Sequence, residues 1–179
     1  MCLSVYLGSH RALETMDVPD GSLGIEQAIW TPPPLKTFPF IYYLGEKATG
    51  ALLGCSCLLA QSVTWNERGP SIHMDNSLDH NNLCPFATLR SYVLSALQSN
   101  KQVALVCDDS GGIEQTCESD DYDHSIISID MISSESYLFA DPIGSFPWRV
   151  FYIAVPGNQV RNPNVKTPTL SNRKRFYSS

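Results

Sequence analysis

Two cysteines one residue apart, Cys55 and Cys57, have the spacing best suited to chemistry. In an extended strand, residues two apart point to the same face, so both sulfurs would emerge side by side. A disulfide across a single residue does not form easily, but two thiolates share a soft metal such as Zn²⁺ or Cu(I). A closed zinc site needs four ligands. Cys2 is a candidate if the first strand lies beside this one, and His80 and Cys84, four apart around the start of a helix, could supply the rest. The plainer alternative is that Cys55 and Cys57 are small core hydrophobes, a normal fate for a free cysteine.

Cys2 also carries a separate expectation. Removal of Met1 ahead of so small a residue would leave cysteine as the mature N-terminus. Its α-amino group, with a pKa near 7.7–8.0, can act as base for its own thiol. That is the arrangement of N-terminal-nucleophile hydrolases and amidotransferases. The alternative is an ordinary residue at a strand end.

Asp108-Asp109-Ser110-Gly111-Gly112 opens a third possibility, with Glu114, Glu118, Asp120, Asp121 and Asp123 following. Carboxylates beside glycines can bind a hard cation, but the spacing is not that of an EF-hand. A solvated acidic loop is the simpler account, and such a face, Asp108–Asp123, could receive a basic protein partner. Other motifs are missing. The four histidines form no H-E-x-x-H, Ser110 does not lie in G-x-S-x-G, and no phosphate-binding glycine loop occurs.

These residues must be positioned by regular elements. Alternation predicts strands at Cys2–Gly8, Ser22–Trp30, Phe40–Leu44, Leu52–Ala60, Gln102–Cys107, Ser125–Ile132 and Trp148–Val155. In the first, Leu3, Val5 and Leu7 would face the core, leaving Cys2, Ser4 and Tyr6 on the other face. The Ala and Leu content of Leu52–Ala60 leaves a helix open there; if it pairs instead with Phe40–Leu44 through the short turn Glu46–Gly50, the two form a hairpin. Gln61–Leu83 reads as a long polar loop, and Asp108–Asp121 as another. Pro85–Gln98 is the one main helix: proline suits its first position, and Phe86, Leu89, Val93, Ala96 and Leu97 share a face. Six or seven strands with one helix imply an α+β fold with a mainly antiparallel sheet, in a single domain over residues 1–155.

Charge divides the chain. Residues 156–179 hold five bases and no acid, whereas the preceding 155 carry seven bases against eighteen acids. The expectation is a basic, flexible tail on an acidic body, which argues against binding a nucleic-acid backbone. With 43% hydrophobic residues the chain can bury a core without staples. The longest nearly apolar run, Ala51–Ala60, is half the length a membrane helix requires, and Met1–Leu13 has no signal-peptide pattern. A soluble, cytoplasmic protein with six reduced cysteines is therefore expected.

Three local patterns carry a resemblance. They are Met1-Cys2 before Tyr6-Leu7-Gly8, then Tyr42-Tyr43-Leu44-Gly45, then Gly54-Cys55-Ser56-Cys57. Together they resemble a family of small uncharacterised proteins that begin Met-Cys and carry a Tyr-Tyr-x-Gly strand before a Gly-Cys-x-Cys segment. All the matching stretches fall within the first 60 residues. The resemblance implies no activity, but it singles out Cys2, Cys55 and Cys57.

Overall fold

A computed structural model describes residues 3–15, 18–48, 53–59, 61–66, 69–74, 85–109, 122–132, 140–141 and 150–156. Alternation along the first strand, β1 (Leu3–Ser9), organises the core. Leu3, Val5 and Leu7 join one apolar cluster, and Tyr6 joins a second on the opposite face. Both faces of β1 are therefore covered, and all seven residues are buried.

β1 pairs antiparallel with β3 (Phe40–Glu46) on one side and β6 (Val103–Asp109) on the other. Outside β3 lies β2 (Leu23–Gln27), and outside β6 lies β9 (Val150–Val155), both antiparallel to their neighbours. β7 (Asp123–Ser128) closes the far edge parallel to β9. The result is a six-stranded, mostly antiparallel sheet in the order β2-β3-β1-β6-β9-β7. With one main helix, it makes a single α+β domain, as composition and periodicity predict.

The helix α1 (Pro85–Ser99) covers the Leu3, Val5 and Leu7 face. Its buried residues Phe86, Leu89, Tyr92, Val93 and Ala96 recur at helical spacing. Asn100 ends it by donating from Nδ2 to the Ala96 carbonyl at 2.7 Å. The same side chain accepts from the backbone N–H of His10 at 3.1 Å, which pins the helix end to the exit of β1. The other face is closed by the 3₁₀ turn Pro33–Leu35 and by Phe38. Gly8 makes room for them, since a β-carbon there would come within 2.8 Å of the Leu35 side chain.

Three expectations are corrected. Leu52–Ala60 is not a strand over its described part: residues 53–56 are irregular, and Cys57–Leu59 is a 3₁₀ turn. Its backbone groups bond to the ends of two strands rather than along one ladder, so a regular strand cannot form. Gln61–Leu83 is not simply a loop. It contains β4 (Gln61–Asn66) and β5 (Gly69–Met74), an antiparallel pair, with the two-residue β8 (Ala140–Asp141) parallel to β4. The β-forming sequence Val63-Thr64-Trp65 overrides the polar average, and Pro70 is tolerated because β5 is an edge strand. Ser125–Ile132 also ends early, at Ser128, whose hydroxyl caps the 3₁₀ turn Ile129–Met131 by accepting from Asp130 N–H. No described helix is long and apolar enough to cross a membrane.

Candidate functional site

The segment 54–56 is a wedge between the start of β1 and the end of β3. Gly54 N–H donates to the Glu46 carbonyl at 2.7 Å, and Glu46 N–H donates to the Cys55 carbonyl at 3.0 Å. On the β1 side, Ser56 N–H donates to the Leu3 carbonyl at 2.9 Å. The side chain of Ser56 completes the joint. Val5 and Leu44 face each other in the β1–β3 register, but Val5 N–H donates to the Ser56 hydroxyl at 2.8 Å. That hydroxyl in turn donates to the Leu44 carbonyl. One buried hydroxyl thus relays a bond between the two strands, and Ser56 has no exposed surface.

Tyr43 and Gly45 hold the wedge from below. The Tyr43 phenol donates to the Gly54 carbonyl at 2.8 Å. A β-carbon at Gly45 would run into that same oxygen, so only glycine allows the approach. Cys55 and Cys57, one on each side of Ser56, are half-buried, and neither is in a disulfide. Although the segment is not a strand, both thiols lie within electrostatic reach of the one Tyr43 phenol. With residues 53–56 irregular and Cys57 opening the 3₁₀ turn, strand alternation does not put the two side chains on one face.

A polar patch continues from there across the same face of the sheet. Tyr6 stands opposite Tyr43, with ring centroids 5.3 Å apart, and Trp30 meets Tyr6 edge-on at 5.5 Å. Ser4 stands opposite Asp108 in the β1–β6 register, and Tyr122 donates to the Asp108 carboxylate at 2.7 Å. Burial pushes the Tyr6 phenol up to about 12, with Tyr43 and Asp108 adding to the rise and the Ser4 hydroxyl opposing it. The Tyr43 phenol is also raised, mainly by burial. The Ser56 and Ser4 hydroxyls oppose that rise, and the two thiols add to it. Both phenols therefore stay protonated at neutral pH, and Tyr43 donates its proton to the Gly54 carbonyl.

Of the residues singled out in the sequence, Cys55 and Cys57 flank the buried Ser56, and Cys2, His80 and Cys84 lie outside the described residues. Among the described residues no three of His, Cys, Asp and Glu stand together as a metal-binding group. Asp108 is not part of a solvated acidic face: it lies in β6, 6% exposed and bonded to Tyr122. Residues 110–121 of that acidic run lie outside the described residues, as does the basic tail beyond Pro156. Cys107 is a buried core residue. The sequence pattern does not single out Ser56, Tyr43 or Ser4 as site residues, and it assigns Asp108 to a different role. Strand parity signals only Ser4, by placing it with Tyr6. No family model matches the chain, and neither a curated protein nor a solved structure does.

Proposed function

We propose that the protein binds a soft metal ion, Zn²⁺ or Cu(I), at a thiol-lined site formed by Cys55 and Cys57, with Cys2 as a further ligand. The observation that carries this reading is a pair of half-buried cysteines flanking a fully buried Ser56, whose bonds to Leu3, Val5 and Leu44 fix the segment that bears them. Thiolates select soft ions, and two of them held in one place supply the core of such a site. The bond from Ser56 N–H to the Leu3 carbonyl supports a role for Cys2, because the wedge abuts the residue that follows it in the chain. Tyr43, held neutral and bonded to the Gly54 carbonyl, does not compete for the metal. The reading places the protein in the cytoplasm, where thiols stay reduced.

Elemental analysis of protein purified under reducing conditions without chelator tests it. Stoichiometric zinc or copper is expected in the wild type, and its loss in both Cys55→Ser and Cys57→Ser. Metal-free wild-type protein, or metal retained in both variants, overturns it.

A further inference from the structure

We infer that Ser56 is the positioning residue of this site: its hydroxyl couples the β1–β3 seam to the spacing of the two thiols. The inference rests on the thiol-site reading but concerns the pair itself, whichever soft ligand it takes. Three bonds converge on Ser56, from its N–H to Leu3, from Val5 N–H to its Oγ, and from its hydroxyl to Leu44. The residue between the thiols therefore cannot shift without opening the joint between two central strands. In an ordinary C-x-C segment the middle residue is free to rotate, and the thiols pay the ordering entropy when a ligand arrives. Here the fold has fixed the middle residue beforehand, so only the two thiol side chains remain to be ordered, which favours ligands that bridge both sulfurs at once. Tyr43 is the second restraint, because its bond to the Gly54 carbonyl fixes the backbone just ahead of Cys55.

A trivalent arsenical, phenylarsine oxide, tests the coupling independently of any metal. Its arsenic forms two As–S bonds, the two thiol protons leave with its oxygen as water, and arsenic stays trivalent throughout. Metal-free wild-type protein is expected to take one arsenical across Cys55 and Cys57, as read by peptide mass mapping. Ser56→Ala should weaken that bridging about tenfold and speed amide exchange at Val5, while Ser56→Thr, which keeps the hydroxyl, restores both. Tyr43→Phe, which keeps the ring, should weaken bridging in the same direction and serves if Ser56→Ala does not fold. Ser56→Ala or Tyr43→Phe protein that is less stable to heat yet bridges with wild-type affinity overturns the inference, since a merely structural residue gives that pattern. Wild-type thiols that react one at a time overturn it too. If the wild type bridges arsenic, and the variants weaken as stated, but zinc and copper do not bind, the metal reading fails and the positioning role stands.

Discussion

The phenol of Tyr43 donates to the carbonyl oxygen of Gly54, 2.8 Å away and eleven residues further along the chain. The same oxygen sits where a side chain at position 45 would have to go. Tyr43 and Gly45 therefore act on one atom from one strand, the first by attraction and the second by leaving space. The Tyr-Tyr-x-Gly and Gly-Cys-x-Cys patterns, separate in the sequence, form one mechanical unit in the fold.

Substitution at the two glycines of that unit should have unequal effects. Gly45→Ala forces the wedge off β3 and is expected to destabilise by about 1–3 kcal/mol, the range for overpacking. At Gly54 a β-carbon meets nothing nearer than the Glu46 carbonyl oxygen at 3.5 Å, so Gly54→Ala should stay within about 0.5 kcal/mol. Urea midpoints of the two variants decide; equal losses would contradict the geometry.

Asp108 and Tyr122 should be energetically coupled. Tyr122→Phe removes a donor from a carboxylate that is 6% exposed, at an expected cost of about 1–3 kcal/mol. A double-mutant cycle with Asp108→Asn should give a coupling of about 0.5–3 kcal/mol. Strict additivity would mean that the bond contributes nothing.

Alkaline pH should weaken the fold through Tyr6. Its ordinary value of 10.0 is raised to about 12, so the folded state favours the neutral phenol. The stabilisation is fully present below pH 10 and is lost as pH climbs through about 12, because the unfolded chain releases that proton first. Tyr92, also raised by burial, acts in the same direction. Chemical denaturation at a series of pH values should show stability falling across this window, and Tyr6→Phe should flatten the decline. A decline of unchanged slope in Tyr6→Phe would assign the effect elsewhere.

The helix offers a control on packing. Leu89 is fully buried against the sheet and Leu94 is 45% exposed. Leu89→Ala should cost about 2–5 kcal/mol and Leu94→Ala no more than about 0.5 kcal/mol. Comparable thermal shifts in the two variants would mean the helix is rotated from the face described.

Periodicity made the helix legible, since Phe86, Leu89, Val93 and Ala96 recur at 3.6-residue spacing whatever packs on them. It made β1 legible for the same reason at a spacing of two, including the separation of Leu3, Val5 and Leu7 from Ser4 and Tyr6. It failed at residues 53–59, where Leu-Gly-Cys-Ser-Cys-Leu-Leu fits a strand by local pattern but the hydrogen-bond partners decide otherwise. It failed again at Gln61–Met74, where average polarity hid a β-hairpin whose formers are few and local.

The fold class, the helix, the sorting of β1 side chains onto two faces and the presence of two cysteines one residue apart were all legible in the chain before folding; that both faces of β1 are buried was not. Only the tertiary structure decided that Ser56 stands between Val5 and Leu44, and that Ser4 faces Asp108. The physical reason is range. Side-chain alternation is set by neighbouring dihedrals along the chain, whereas a ladder register and a hydroxyl inserted into it depend on which distant backbone groups are left to be satisfied.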